Sequence, residues 1–175
     1  MLNKNFIPFP ILTTKRLTLR QLLESDVEEI LSLRSDSEIN KYLDRQPAKT
    51  LDDALNFIRK TNENIKNSPL KYWAITLTEN EKLIGTICLF DFSDELKKCE
   101  IGYELLAAYQ GHGIMCEATK RIIEYAFLTL GLKSIDAFTH KGNQSSTKLL
   151  QKLNFEKTGI IDKTNPDQIV FRLLN

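Results

Sequence analysis

The residues best placed to do chemistry are Tyr109-Gln110-Gly111-His112-Gly113-Ile114-Met115. Two glycines two positions apart let the backbone turn sharply and aim several N–H groups at one point. A helix pattern begins directly after them, and a helix N-terminus adds unpaired donors and the positive end of the peptide dipoles. Gln110 to Met115 is therefore a candidate anion cradle, the kind of site that takes a phosphate. A simple tight turn before a helix would need the same glycines. The GKS/T of a P-loop and the third glycine of a dinucleotide loop are both missing.

A second constellation lies about thirty residues on. Asn143-Gln144-Ser145-Ser146 opens another helix, with Asn143 as its N-cap. Ser146 shares a face with Leu149, Leu150 and Leu153, three, four and seven positions later. A hydroxyl on an inward stripe needs a partner, since burying it unpaired costs about 1–3 kcal/mol. Either it bonds back to a carbonyl of its own helix, or it faces a ligand beside the sheet.

The pattern of elements sets where these groups stand. Arg16 to Arg20 alternates with period two and reads as a strand. Ser25 and Asp26 precede a short amphipathic helix, and Pro47 and Thr50 open a second that stops before Pro69. Tyr72 to Thr78, Leu83 to Phe92 and Lys98 to Leu105 are strands in succession, and Ile114 to Leu130 is a helix closed by Gly131. Lys133 to Thr139 is a strand, Asn143 to Leu153 a helix, and Phe155 to Ile161 with Ile169 to Leu173 a closing hairpin. Consecutive strands with short turns imply antiparallel pairing, and the passage from Lys98 to Thr139 implies one right-handed parallel crossover. The expected fold is α/β: a mixed, mostly antiparallel sheet of about seven strands with helices on both faces, all in one domain spanning residues 1–175.

Composition sets outer bounds. The 175 residues carry a formal net charge of +1, which argues against a dedicated nucleic-acid binder. Glu24 to Asp53 holds nine acids and four bases, whereas Tyr109 to Lys157 holds seven bases and four acids. Cys88, Cys99 and Cys116 are odd in number and sit among apolar neighbours, so free thiols are expected. Neither His112 nor His140 has metal-ligand spacing, so no metal is expected. The first fourteen residues lack the pattern of a secretory leader, and no apolar run reaches membrane-spanning length. A cytoplasmic location, no membrane association, and a monomer or homodimer are expected.

Several of these segments together resemble the GCN5-related N-acetyltransferase (GNAT) superfamily, with most likeness to the branch that acetylates N-termini of ribosomal proteins. They are Thr14-x-Arg16-Leu17-x-Leu19-Arg20, Glu100 to Leu105, Tyr109 to Gly113, Glu117-Ala118, Tyr125-Ala126-Phe127, Leu130 to Leu132, Asn143-x-x-Ser146 and Lys152 to Phe155. The resemblance implies a cleft for acetyl-CoA where two parallel strands splay apart. It places backbone bonds to the pantetheine arm at Leu105 and Leu106 and the pyrophosphate on the N–H groups of Gln110, Gly111, His112, Gly113, Ile114 and Met115. Asn143 would bond the pantetheine. Met115 stands where the family usually has Gly or Ala, Leu150 where many members have a tyrosine acid, and Asn154 where glycine is usual. Asparagine tolerates positive φ, so that last position is expected to keep its backbone.

The implied reaction is direct attack of a neutral amine on the thioester. Glu100 is the candidate base, its position resembling a strand glutamate of the family, and a solvated strand glutamate is its plainer reading. Ser146 is the candidate donor to the departing thiolate, and a backbone N–H near Leu105 the oxyanion partner. Tyr72, Trp73 and Tyr103 read as sheet core, and Tyr103 could also line the thioester pocket. The acidic helical pair would wall the acceptor site and favour a cationic amine. The acceptor expected is a ribosomal or other protein N-terminus. A small-molecule or antibiotic acetyltransferase and a non-catalytic acyl-CoA-binding module are the rival readings.

Overall fold

A computed structural model describes residues 8–162 and 164–175 of the chain. Residues 1–7, which carry half of the segment read above as lacking a leader, lie outside the described residues. Eight strands form one sheet: β1 (Leu12–Thr13), β2 (Leu17–Arg20), β3 (Lys71–Leu77), β4 (Asn80–Ser93), β5 (Lys98–Leu105), β6 (Ser134–His140), β7 (Glu156–Ile161) and β8 (Gln168–Leu174). Their spatial order is β1-β2-β3-β4-β5-β6-β8-β7. Seven of them are the strands that hydrophobic alternation predicts. The eighth, β1, is two residues long, too short for any period to reveal. Every neighbouring pair is antiparallel except β5 and β6.

The helices are α1 (Val27–Ser35), α2 (Ser37–Asn40), α3 (Leu51–Asn67), α4 (Ile114–Glu124) and α5 (Gln144–Lys152). Thr50 and Asp53 form a reciprocal capping box at α3, which explains its sharp start. Asp26, at the N-cap position of α1, makes no side-chain cap bond to it. It is buried, accepts the Leu23 N–H at 2.8 Å and holds Arg20 through both oxygens at 2.8 Å. The pull of a paired guanidinium outweighs a cap, because a buried carboxylate needs an ionic partner. The helix expected to run from Ile114 to Leu130 changes after Glu124 into a wider turn over Tyr125–Thr129. There the Leu130 N–H reaches back five residues to the Tyr125 C=O, and Gly131 follows at φ +71°.

Alternation within β5 divides the molecule. Cys99, Ile101, Tyr103 and Leu105 face the larger core, which also holds Ile114, Ala118 and Ile122 of α4 and Leu150 of α5. The even-numbered residues face the opposite side. There Leu22, Ile30, Leu33, Ala54 and Ile58 join α1 and α3 to the sheet. Helices thus cover both faces, and α1 and α3 lie across β5 from α4. All three cysteines are free thiols, and Asn154 sits at φ +63°, a conformation asparagine accepts.

Candidate active site

The parallel pairing of β5 with β6 is brief. Lys98, Cys99 and Glu100 lie opposite Ser134, Ile135 and Asp136, and beyond them the two strands pair with other neighbours only. The sheet therefore forks after Glu100 and Asp136. Backbone direction alternates along a strand, and two bonds fix its phase here. Leu106 donates its N–H to Ile84 C=O on the β4 side, and Lys97 accepts from Lys133 N–H on the β6 side. The polar backbone groups of Ile101, Tyr103 and Leu105 consequently face the fork. Gln110 closes part of its rim by donating Nε2–H to the Leu105 carbonyl at 2.9 Å.

The glycine loop stands at the fork's mouth, after the short turn Ala107–Tyr109. Gly111 and Gly113 both lie in the left-handed region, at φ +79° and +74°, where a side chain would be strained. Gly113 is the N-cap of α4, and its carbonyl accepts the Glu117 N–H at 3.1 Å. Among the described residues, no acceptor meets the N–H groups from Gly111 to Cys116, as expected where a helix begins. His112 is exposed, and what it contributes inward is its carbonyl, which accepts from Arg16 at 3.1 Å.

Arg16 explains the first motif. Its Nε meets Glu117 Oε2 at 2.7 Å, its N–H meets Glu117 Oε1 at 3.0 Å, and Thr14 adds a 2.6 Å bond to the same carboxylate. One glutamate on the first turns of α4 therefore ties the loop to β2 and to the segment before it. Burial alone would raise the Glu117 pKa, but these donors hold it below the usual carboxylate range.

Asn143 caps α5 by accepting the Ser146 N–H at 3.1 Å. The Ser146 hydroxyl does not bond back into its own helix. It lies 2.8 Å from the Tyr103 hydroxyl, across the fork. Sequence reasoning had ranked Tyr103 as core first. Its position one alternation before Leu105 was the only signal, and nothing in the spacing to Ser146 announces the contact. Burial pushes the Tyr103 phenol up to about 12, with the Ser146 bond opposing, so the phenol keeps its proton at neutral pH. Leu150 is fully buried in the core, one turn further along α5. On β6, Thr139 is buried three residues past the fork, and its Oγ1 has no partner.

Glu100 faces the other side of β5, away from Ser146. Burial first, then the neighbouring Asp91 and Asp136 carboxylates, push its carboxyl up to about 7. Asp136 is itself almost fully enclosed, with Arg172 at 2.6 Å and Lys98 at 3.3 Å. On that same face Glu104 meets Arg45 at 2.6 Å, and Tyr72 joins Thr86 and Glu104. Tyr72 thus belongs to a polar network, while Trp73 is core, its indole N–H donating to Pro10 C=O at 2.9 Å.

The acids expected to wall an acceptor site are mostly occupied elsewhere. Glu24 pairs with Arg59, Glu29 with Lys82, and Glu38 with Lys41, while Asp36 and Asp53 cap α2 and α3. From the loop after α1, Arg45 reaches Glu104 of β5, while Arg34 at the end of α1 stacks on Phe57 of α3.

A mixed sheet forked at one parallel pair, with a donor-lined loop at its mouth, defines an α/β protein built to hold a phosphate-bearing ligand. Residues 16–156 match the acetyltransferase (GNAT) domain family. The uncharacterised N-acetyltransferase YoaA of Bacillus subtilis (strain 168) is 31% identical over 153 residues, covering 87% of this chain and 86% of its own. A GNAT-family acetyltransferase from Bacillus anthracis superposes with a TM-score of 0.81 at 24% identity, covering 94% of this chain and 98% of that one. RimL, the ribosomal L7/L12 α-N-protein acetyltransferase solved with coenzyme A, gives 0.81 at 19% identity, with 94% and 98% coverage. The chain belongs to the GNAT acetyltransferase family.

Proposed function

We propose that this chain transfers the acetyl group of acetyl-CoA to a primary amine, and that the acceptor is a protein or peptide N-terminus in the cytoplasm. The observation that carries the reading is the Tyr103–Ser146 hydroxyl pair, 2.8 Å apart beside a fork whose mouth is lined with unpaired N–H groups. Acetyl-CoA fits these residues. Its pyrophosphate suits the N–H groups of Gly111 to Met115, the Gln110 N–H expected to join them being taken by the Ala107 carbonyl at 3.2 Å, and its amide-rich arm suits the fork-facing backbone of Tyr103 and Leu105. The unpartnered Thr139 hydroxyl and the Asn143 side chain are further polar groups along that path. Leu106, expected to bond the pantetheine, has its N–H taken by Ile84 and its carbonyl accepting from Tyr109, so that role falls to Leu105.

The two catalytic candidates approach from opposite faces of β5. Glu100, half-protonated near pH 7, accepts the proton of the ammonium acceptor through a chain of waters, since about 16 Å of strand separates it from Leu105. The neutral amine then attacks the thioester carbonyl, and the Leu105 N–H steadies the oxygen that gains charge. Ser146 gives its proton to the leaving sulfur and is reprotonated, through the hydroxyl of Tyr103, by the second proton that the attacking nitrogen sheds, so the phenol ends as it began. An α-amine of pKa near ~8 needs only modest help from such a base, whereas a lysine amine near ~10.4 needs more. That difference favours an N-terminus.

Transfer from acetyl-CoA to a panel of short peptides and free amines, followed by mass spectrometry, tests this. Acetylation at the α-amine of peptides is the expected outcome. Turnover confined to small amines would make the chain a small-molecule acetyltransferase instead. Acetyl-CoA binding without transfer to any amine would leave a non-catalytic acyl-CoA-binding module.

A further inference from the structure

A cleft of about 330 Å³ lies between the end of α1 and the start of α3, the helices that cover the sheet face opposite α4. Arg34, Gln46, Pro47, Lys49, Asp53 and Phe57 line it. Its size is within the range that holds a small ligand or a few residues of peptide.

The charges around this cleft are unequal in their partners. Asp53 is occupied, accepting the Lys49 and Thr50 N–H groups at 2.9 and 3.0 Å. Arg45 is occupied, held by Glu104, by Asn40 and by the Leu33 carbonyl. Arg34 is not. The carbon of its guanidinium lies over the Phe57 ring, 3.9 Å from the centroid, and among the described residues no carboxylate forms an ion pair with it. Stacking fixes such a group in place while leaving its N–H edge to meet an acceptor. Burial and the Arg45 charge both work against the Arg34 cation, so an anion settling there would relieve a standing cost. Lys49 adds a second cation on the same wall.

We propose that this cleft is the specificity subsite of the acceptor, and that it takes the carboxylates of an acidic segment just behind the N-terminal amine. The inference rests on the acetyl-transfer reading above and names its substrate class. Arg34 stacks within reach of the electrostatics of Glu104, which stands four residues beyond Glu100 on β5. Glu104 directly precedes Leu105, whose N–H is assigned to the thioester oxygen, and it holds Arg45, which adjoins Gln46 on the cleft wall. A peptide whose amine attacks at Leu105 would carry its following residues toward Arg34 and Lys49. Arg34, rather than the acids of α1 and α3, then sets the charge preference.

Three peptides differing only at positions three to five, carrying Asp, Gln or Lys there, test the idea at saturating acetyl-CoA. The expected kcat/KM order is Asp over Gln over Lys, with roughly a tenfold gap between the extremes, expressed mainly in KM. Arg34→Gln should bring the Asp-to-Gln ratio close to one, and Lys49→Gln should lower it by a smaller factor. The second variant keeps the proposal testable if loss of the Phe57 stack harms folding. Calorimetric binding of the N-acetylated Asp peptide in the presence of CoA reads the same subsite without turnover. Absence of transfer would count against the acetyl-transfer reading, while Arg34-dependent binding would still uphold the subsite. Equal rates for the three peptides, a preference for Lys, or an Asp preference that both variants retain would overturn it.

Discussion

The hydroxyls of Tyr103 and Ser146 lie 2.8 Å apart, although β5 and α5 contribute them from positions 43 residues distant in sequence. This is the one polar side-chain bridge found across the fork among the described residues. It gives Ser146 a partner other than its own helix.

Removing the donor should slow the chemical step more than it weakens binding. Ser146→Ala should lower kcat by about 10- to 100-fold, and Tyr103→Phe by a smaller factor, with acetyl-CoA affinity changed less than threefold. Steady-state kinetics with a calorimetric Kd for acetyl-CoA separates the two effects. A Ser146→Ala enzyme within about threefold of wild-type turnover would exclude the hydroxyl from proton transfer.

Glu100 ties rate to pH. With its carboxyl pushed to about 7, wild-type kcat/KM should rise with pH through that value, and Glu100→Gln should flatten the rise while lowering the plateau. Stability should run the other way. A carboxyl raised from 4.5 to about 7 on folding favours the native state fully below about pH 4.5 and loses that benefit as pH climbs through 7. Glu100→Gln should therefore raise the melting temperature at pH 8 relative to wild type, and show no such gain at pH 5. A melting temperature unchanged at pH 8 would mean that the buried charge is already compensated.

The loop should respond to backbone geometry rather than to side-chain chemistry. Gly113→Ala forces a Cβ into φ +74°, at a cost of about 1–2 kcal/mol, and should weaken acetyl-CoA binding measurably. Gly113→Pro should abolish it. His112→Ala should bind normally, since only the His112 carbonyl is engaged. A large loss in His112→Ala, seen by titration calorimetry, would show that the imidazole itself takes part.

Asp136 is the structural anchor of the fork. Burial alone would raise its pKa, but Arg172 and Lys98 hold it low, and its side chain is only 3% exposed. Asp136→Asn leaves two cations facing a neutral amide, so unfolding free energy should fall by about 2–4 kcal/mol in urea titration. It also removes one of the charges that raise Glu100, so the rate profile should shift toward lower pH.

Local order was legible in the chain because it depends on neighbours a few residues apart. Alternation and runs of β-branched and aromatic residues marked seven strands, Pro47 and Thr50 marked the start of α3, and two glycines before a helix marked the donor-lined loop. The two-residue β1 carried too little sequence to show a period. The side-chain cap at Asp26 was lost to Arg20 because an ion pair six residues back outweighs a local hydrogen bond.

Other features depended on approach in space, which no spacing encodes. Alternation told which residues of β5 share a face, but not that the odd ones meet Ser146 and the even ones meet Arg45. Composition counted an acidic excess between Glu24 and Asp53, yet folding spent most of those carboxylates on caps and ion pairs and, among the described residues, left Arg34 with no ion pair. The sequence determined the strands, the helices and the glycine loop, because each is set by local backbone preference and periodic burial. Only the tertiary structure decided which charges remain available, because that is settled by which side chains the packed sheet brings within hydrogen-bonding distance.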